Sequence, residues 1–587
     1  MGDYHDIYLT TDVLLLVDVF ETFGGVCLDN YKLDPAHFYS APSWAWKAAL
    51  KYTGIRLELL TDLHMLLMFE KCIRGGITQA VHRYAKANNK YMGDRYNQDE
   101  ESSYMHYLDA NNLYGWAMCQ DLPTDGFKWV SNVEAFTARR FRKLVEDNRH
   151  GYILEADISY PSELHDKHNE LPLLPERRTV HKVENLVPNL EDKHRNVVHI
   201  RALHEAIKHG LELKKLRRVI WFNQKAWLRG YIDHNTRLRT AAKNEFEKYF
   251  YKLMNLSVFG KTMENIRNHR NIQLVTNENK YTKLVMKPNF KGGCRFSKNL
   301  IGVEMGKTEV KMNKPVYIGQ AILDMSKLVM YEFHYNYIQE KYGSKIQLCY
   351  METDSFAYQI RTHDFYAYID DVETRFDTGA YSKDDGRPLP IGKNKKVVGL
   401  MKDELGGKIM TEFITLRANL YAYKSLTKEG GDRKAKGVKK CVMKKSITFD
   451  DYWRCLREGV DIYKSQVLIQ NKGHKLYTQE ISKLALNSAD DKRIVQPNQI
   501  TTLARGYRGI KWRRIIKSMS DIAQVFDNAP AETYEQVEKP IDKRQILPKK
   551  CTEGFVDKTL KRSMRSMYNV NCKRRGRRRQ KHCLQML

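Results

Sequence analysis

Three stretches of the chain predict long helices. The stretches are residues 4–22, 236–258 and 318–339, and the first two carry apolar side chains at helical spacing. The apolar stripe of the first stretch consists of Val13, Leu16, Val17 and Phe20. The second stretch has one packing face (Phe246, Phe250, Leu253, Ser257) and a second face (Lys252, Leu256, Phe259). Gly260 follows and predicts the end of that helix.

Strands are predicted on both sides of the second helix. Residues 104–108 form one strand that ends in Asp109. Residues 346–351 and 356–360 form a β-hairpin with acidic residues at its tip, Glu352-Thr353-Asp354. Residues 414–423 predict a further strand, and residues 88–102 are polar and loop-like.

Charge and cysteine content narrow the class of protein. The 587 residues include 99 lysines and arginines against 70 acids, which gives a formal charge of +29. Such a surplus indicates either a polyanionic partner or a solvated basic surface. The ten cysteines occur singly, which argues against a zinc knuckle and fits reduced thiols inside a cell. Apolar runs are too short for a bilayer, and the polar, acidic start is unlike a signal peptide.

The two predicted strands offer a pair of carboxylates. Asp109 at the end of one strand and Asp354 at the tip of the hairpin would meet if the strands are neighbours in one sheet. Two carboxylates on rigid elements can hold the divalent ions of a phosphoryl transfer. Each aspartate taken alone is better explained as a turn residue, so the surrounding pattern must decide.

Three segments supply that pattern. Residues 107–115 (YLDANNLYG), 252–260 (KLMNLSVFG) and 350–355 (YMETDS) stand in this order along the chain. They resemble the three polymerase motifs of family B DNA polymerases, D-x-x-S-L-Y-P, K-x-x-x-N-S-x-Y-G and Y-x-D-T-D-S. Residues 107–116 and 399–408 (GLMKDELGGK) are most similar to the protein-primed branch, and within it to polymerases of Polinton or Maverick transposons.

The resemblance implies an active site. Asp109 and Asp354 would be the catalytic metal ligands, with the Ala110 carbonyl as a backbone ligand and Glu352 as an auxiliary one, holding two Mg²⁺ ions for which Mn²⁺ can substitute. Tyr114 would lie under the incoming sugar and reject a 2′-hydroxyl by its bulk, and Lys252 and Arg239 would neutralise the triphosphate. The implied nucleotide-binding set is Tyr114, Leu113, Arg239, Lys252, Leu256 and Phe259.

The same resemblance implies contacts with DNA. Residues 74–76 are similar to a Y-x-G-G template loop, and residues 417–421 align with the K-x-Y motif that grips the primer end. The implied DNA-binding set is Arg74, Gly75, Gly76, Thr353, Tyr421, Lys436, Lys439 and Lys440. A glycine turn and a solvated charge run remain the plain alternatives for these segments.

An exonuclease remnant is implied at the start of the chain. Tyr8 and Asp12 match the Y-x-x-x-D motif of a 3′–5′ exonuclease, whose first two motifs would lie upstream of Met1. The resemblance therefore implies an N-terminally truncated copy that cannot proofread, because one aspartate cannot run a two-metal nuclease.

The implied fold is α+β, a right hand of palm, fingers and thumb with an antiparallel palm sheet. The expected divisions are an exonuclease remnant (1–35), a connector with the template loop (36–100), palm (101–223), fingers (224–260), palm (261–404), thumb (405–527) and a basic tail (528–587). Insertions are expected at about 125–195 and 265–310. Residues 573–581 hold seven basic residues and no acid, and they read as a nuclear localisation signal, a nucleic-acid tail or fortuitous translated sequence.

Three functions compete at this stage. The first is a monomeric nuclear DNA polymerase that acts on template, primer and dNTPs, with a terminal protein as one source of primer. The second is a catalytically dead remnant that only binds DNA, favoured by Leu256 and Asn419 in place of the motif asparagine and lysine. The third, a sugar hydrolase with two acids, leaves Lys252, Arg239 and the basic charge unexplained.

Overall fold

The structure is a computed structural model that describes residues 2–134, 136, 138–368, 372–382, 387–388, 391–426, 431–472 and 475–508. The chain divides into two compact units, one of residues 1–177 and 186–507 and one of residues 178–185 and 508–587. In the second unit, the described residues 178–185 hold the turn of a β-hairpin. The predicted basic segment 573–581 lies outside the described residues.

The helices are α1 (Gly2–Tyr31), α2 (Ala41–Thr53), α3 (Leu63–Cys72), α4 (Leu113–Met118), α5 (Ala138–Glu146), α6 (His165–His168), α7 (Ile200–Lys208), α8 (Arg229–Ala241), α9 (Glu245–Thr262), α10 (Glu278–Val285), α11 (Val316–Phe333), α12 (Glu340–Tyr342), α13 (Val372–Arg375), α14 (Lys440–Ser446) and α15 (Phe449–Glu458).

The strands are β1 (Thr78–Ala80), β2 (Tyr84–Lys86), β3 (Ser103–Ala110), β4 (Leu122–Trp129), β5 (His150–Ser159), β6 (Glu176–Val180), β7 (Val183–Val187), β8 (Lys193–His199), β9 (Glu212–Lys225), β10 (Asn271–Val275), β11 (Phe290–Ser297), β12 (Leu300–Met305), β13 (Ile346–Glu352), β14 (Ser355–Arg361), β15 (Phe376–Asp377), β16 (Met401–Asp403), β17 (Met410–Arg417), β18 (Leu420–Ser425), β19 (Asp432–Ala435), β20 (Ile462–Lys472), β21 (Lys475–Leu486), β22 (Arg493–Val495) and β23 (Thr502–Ala504).

A central sheet organises the first unit. Its strand order is β1-β13-β14-β3-β17-β18-β19, every neighbouring pair is antiparallel, and β16 and β2 pair with β3 and β17. Strands β3, β13 and β14 are buried along most of their length, because both faces are covered, one in a core with helix residues such as Phe333 and the other in a core with Phe413. The α+β class with an antiparallel sheet is therefore confirmed.

Helix α11 supplies Phe333 to the first of these cores. Sixteen of its residues are buried, so the helix is enclosed around its whole circumference rather than along one stripe, with polar residues such as Asp324 and Lys327 among those buried. It packs against α3, α4, α7 and α9. The predicted helix at 318–339 is confirmed, although its last turn, His334–Gln339, is a π-helical segment.

The predicted helix at 236–258 is in fact two helices. Helix α8 ends at Ala241, and α9 begins after Asn244, whose side chain accepts a hydrogen bond from the Glu247 N–H at 2.8 Å. Gly260 does not end the helix, because α9 continues to Thr262. Phe246 of the expected packing face is 54% exposed.

Two other expectations also needed correction. The stripe Val13, Leu16, Val17 and Phe20 lies on α1 as predicted, but its side chains are exposed, and α1 joins the core only through its last turns at Cys27 and Tyr31. The strand predicted at 414–423 is two strands, β17 and β18, because Asn419 turns the chain with φ = 65°.

Smaller sheets overlap the expected insertions at 125–195 and 265–310, although β9 lies beyond the first of them. Strands β4, β9, β5 and β8 form a four-stranded sheet, and β10, β12 and β11 form a three-stranded one. The proposed domain boundaries themselves stay predictions. Within the described part of the chain, no helix combines the length and apolar character that a membrane crossing requires.

A buried amide chain joins α1, α8 and α9. Asn235 is fully buried; its Oδ1 accepts from the Tyr31 hydroxyl at 2.6 Å, and its Nδ2 donates to Asn255 Oδ1 at 2.7 Å. Buried polar groups are costly when they lose their partners.

We expect Asn235→Ala to lower the free energy of unfolding by about 2–4 kcal/mol, since two buried polar groups lose their partner. Urea denaturation measures this loss. Thr240→Ala, at an exposed position on the same helix, should change it by less than about 0.5 kcal/mol. Equal effects of the two substitutions would contradict the role of Asn235.

Candidate active site

The two candidate aspartates lie on neighbouring strands. Strand β3 pairs with β14 so that Asp109 stands opposite Ser355, the residue after Asp354. The Ala110 N–H donates to the Asp354 carbonyl at 2.7 Å and closes the gap between the strand end and the hairpin tip. The inferred pairing of these strands is confirmed.

The hairpin tip is a tight turn. Thr353 has φ = 56°, a backbone conformation that non-glycine residues rarely adopt, and the Asp354 N–H donates to the Glu352 carbonyl at 2.6 Å. The strained turn directs Asp354 beside Asp109, where both side chains are partly buried.

Charge is concentrated around the pair. Burial, followed by the charge of Asp354, raises the pKa of Asp109 to about 7. Burial also raises the pKa of Asp354, with Glu352 and Glu404 adding to it. Lys402 lies opposite Asp109 in the β16–β3 register and partly offsets this charge, with Nζ 3.3 Å from Asp109 Oδ1 and 2.8 Å from Glu404 Oε1.

These donors fit magnesium. Mg²⁺ prefers hard oxygen ligands and is usually bound through one or two carboxylates together with phosphate oxygens and water. Among the described residues, no cluster of three or more His, Cys, Asp or Glu could hold a metal by itself. The pair Asp109 and Asp354, with raised pKa values that a cation would lower, suits ions shared with a bound triphosphate.

Tyr114 and Phe259 meet beside the aspartates. Their rings stack with centroids 4.6 Å apart, which joins α4 to α9. Burial and then the charge of Asp354 raise the pKa of Tyr114 to about 12, so this ring lies near the catalytic turn. Leu113, the preceding residue, is buried in the core.

Helix α9 exposes the predicted nucleotide face. Lys252 and Leu256 are exposed one turn apart, and Phe259 follows on the same side. Asn255 points inward to Asn235 and cannot replace the missing motif asparagine. On α8, the buried Arg239 Nε has no hydrogen-bond partner within the described residues, which leaves a donor for an anionic group.

The template-loop residues fall into two kinds. A Cβ on Gly76 would lie 2.8 Å from the Thr353 Cβ, and the Thr353 N–H donates to the Ile77 carbonyl at 2.6 Å, so this loop supports the catalytic turn. Gly75 is exposed. Arg74 is only 7% exposed and donates to Asn196 Oδ1 at 3.2 Å, so its described position gives a phosphate contact no support.

The remaining predicted residues are more dispersed. Tyr421 accepts a hydrogen bond from the Tyr107 hydroxyl at 3.2 Å, which links the primer motif to β3. Lys436, Lys439 and Lys440 are exposed beyond β19. Tyr8 and Asp12 are exposed on α1 and lie on a different element from the central sheet.

The sequence did not indicate that two charged residues near the aspartates, Lys402 and Glu404, belong to the site. Lys402 and Glu404 lie in the segment 399–408, which the sequence marked only as a family resemblance. This segment contacts the first motif: the Gly399 N–H donates to the Asn111 carbonyl at 2.7 Å, and a Cβ on Gly399 would lie 3.0 Å from the Trp116 Nε1. Two acids and two lysines in this ten-residue segment were the available signal.

The chain resembles members of one known protein family. A family model described as DNA polymerase type B, organellar and viral, matches residues 7–340, more than half of the chain. The chain belongs to this family. It is a DNA-directed DNA polymerase by family membership. No curated protein matches it.

Solved structures of Phi29 DNA polymerase are among those similar to this polymerase chain. The orthorhombic crystal form has a TM-score of 0.47 at 15% identity, covering 76% of this chain and 68% of that one. The ternary complex with primer-template DNA and incoming nucleotides has a TM-score of 0.47 at 14% identity, with coverage of 76% and 68%. The family assignment rests on the family model and not on these matches.

We expect Gly76→Ala to lower kcat of the polymerase roughly 10–100-fold, since a shift of about 1 Å in a catalytic group can cost that much. The added methyl would displace Thr353 and with it the Asp354 turn. Single-turnover incorporation measures the effect. Gly75→Ala is the matched control, because a Cβ there meets nothing within 4 Å, and an equal loss in both variants would contradict the packing role.

We expect Asp109→Asn to stabilise the metal-free protein at neutral pH. The ordinary carboxyl pKa of 3.8 rises to about 7 in the folded state, so ionising Asp109 costs folding free energy as pH rises from 3.8 to about 7. The melting temperature in EDTA should exceed that of wild type by roughly 2–5 °C at pH 8 and match it below about pH 4.

Added Mg²⁺ provides the control for this substitution. It should raise the melting temperature of wild type and change Asp109→Asn much less, since the ion binds only the folded site. A variant that melts below wild type at pH 8 would show that the carboxylate does not carry this cost.

Proposed function

We propose that this polymerase transfers dNTPs to a primer 3′-hydroxyl through two divalent ions held by Asp109 and Asp354. The observation that carries the proposal is the β3–β14 pairing, which brings two carboxylates with raised pKa values to one end of the sheet. The stacked Tyr114 and Phe259 extend this site toward the exposed face of α9.

Each side chain has a distinct task in the proposed reaction. Asp109 and Asp354 hold the ions, Mg²⁺ or in its place Mn²⁺, with the Ala110 carbonyl and Glu352 as auxiliary ligands. When bound, the two ions activate the attacking hydroxyl and stabilise the leaving pyrophosphate.

The nucleotide is positioned by the chain's own groups. The Lys252 ammonium and the Arg239 guanidinium neutralise the triphosphate, which suits an exposed point charge and an unpartnered guanidinium nitrogen. The Tyr114 ring, stacked on Phe259, lies under the deoxyribose and excludes a 2′-hydroxyl by its bulk.

The biological setting is also a proposal. The motif resemblance favours replication of a Polinton-like mobile element in the nucleus, by a monomer that accepts a terminal protein as primer. Template, primer and dNTPs are the partners that the reaction requires.

We propose that the protein does not proofread. Asp12, which matches the exonuclease motif, is exposed on α1, and a single aspartate cannot hold the two metal ions of a nuclease. Asp12→Asn should therefore leave the length of mismatched 3′ ends unchanged.

A DNA-binding remnant is the second candidate. Leu256 is exposed where the family motif has an asparagine, and Asn419 stands where it has a lysine. Such a remnant would bind DNA in a salt-sensitive way and incorporate no nucleotide.

Primer extension tests the proposed function. Wild type should extend a recessed primer with Mg²⁺ and dNTPs, and Asp109→Asn or Asp354→Asn should lose several kcal/mol of transition-state stabilisation, roughly 10³-fold in rate or more. Asp12→Asn, an exposed carboxylate on α1, is the control and should match wild type. Equal rates in all four proteins would sink the metal-site assignment, and no extension by wild type would select the remnant.

A further inference from the structure

A lysine on the edge strand β19 contacts the catalytic hairpin, although β3, β17 and β18 lie between them in the strand order. Lys434 on β19 stands opposite Tyr421 on β18, so the two side chains share a face. The Lys434 Nζ lies 2.5 Å from Glu352 Oε1 and 5.7 Å from the centre of the Tyr421 ring. Glu352 is two residues before Asp354.

Asparagine stands at position 419, where the primer motif has a lysine. Asn419 turns the chain with φ = 65°, and its N–H donates to the Tyr350 hydroxyl at 3.0 Å. The same hydroxyl donates to Glu352 Oε2 at 3.2 Å. A short, neutral side chain therefore stands at this turn, and the cation that reaches Glu352 comes from the next strand.

Two other lysines in this part of the sheet form ion pairs with acids other than Glu352. Lys402 contacts Asp109 and Glu404. Lys424 is three residues after Tyr421 on β18, so it points to the opposite face and pairs with Glu412 at 3.1 Å. Lys434 is thus a cation beside the catalytic turn on the Tyr421 face, with its Nζ in contact with Glu352.

We propose that Lys434 binds the last phosphodiester of the primer strand and that Glu352 positions its ammonium for this contact. The inference rests on the proposed function, because a primer 3′-hydroxyl must lie between Asp109 and Asp354, and its adjoining phosphate then runs past the Tyr421 face. Lys434 is 42% exposed and Glu352 is 21% exposed, so the ammonium is open to a strand while its anchor is not. An ammonium is a suitable point charge for one phosphate.

The proposal also accounts for two departures from the family motifs together. Glutamate at 352 is one methylene longer than the motif aspartate, and its carboxylate is the group that contacts Lys434. Asparagine at 419 gives up a cation beside the primer, and Lys434 restores it from β19. Glu352 and Asn419, which both differ from the family motifs, are therefore explained together by the contact of Lys434 with the primer.

Binding experiments test the contact apart from catalysis. The full chain carrying Asp109→Asn is titrated with a fluorescent primer-template, first with a normal terminal linkage and then with an uncharged methylphosphonate at the last phosphodiester. Lys434→Gln should weaken binding of the normal primer about 5–10-fold, as expected for one charge-assisted contact. On the methylphosphonate primer, the parent protein and the Lys434→Gln variant should bind alike.

Three variants act as controls. Lys424→Gln removes a lysine of nearly equal exposure, 39% against 42%, from the other face and should change binding less than about 2-fold. Lys434→Arg keeps the charge and should keep most of the affinity. Lys434→Gln combined with Asn419→Lys should recover binding, because it returns a cation to the motif position.

The outcomes separate the two proposals. Loss of affinity in Lys434→Gln that persists on the methylphosphonate primer, or that Lys424→Gln reproduces, overturns the contact, as does failure of the parent protein to bind the primer end. Wild-type protein that extends no primer overturns the polymerase mechanism alone, since these binding measurements need no incorporation.

Discussion

The pairing of β3 with β14 is the constraint on which the site depends. Side chains alternate between the faces of a strand, so a slip of one residue in this register would send Asp109 to the wrong face. The hydrogen bond from the Ala110 N–H to the Asp354 carbonyl fixes the register at the end of β3 that carries Asp109. Buried side chains on both strands, such as Leu108 and Phe356, oppose any slip by the apolar surface it would expose.

Lysines near that strand pairing neutralise part of its negative charge. The site holds four acidic side chains that would repel one another when half-buried, namely Asp109, Asp354, Glu352 and Glu404. Lys402 and Lys434 form ion pairs with three of these acids and reduce the repulsion. Lys402 comes from β16, which pairs with the Asp109 strand, and Lys434 comes from the edge strand β19, so the sheet carries both the charge and its compensation. In the proposed reaction, such a site would exchange ammonium contacts for metal and phosphate contacts.

Local sequence patterns predicted the strands that carry the aspartates, because a short apolar run ending in an acid is a local signal. They also predicted that Lys252 and Phe259 share a helix face. The break between α8 and α9 was missed, since the Asn244 cap competes with good helix formers around it. The roles of Glu404 and Lys434 depend on strand pairings far apart in sequence, which no local periodicity encodes.

Helix α1 has a practical consequence for this protein in solution. Its side chains from Tyr4 to Phe20 include a long row of exposed apolar groups, on a chain whose formal charge is +29. At low ionic strength, mutual repulsion keeps copies apart. Added salt screens that repulsion and, with salting-out anions, strengthens apolar attraction. The salt that strips nucleic acid from the protein during purification is therefore also the condition that drives it toward precipitation.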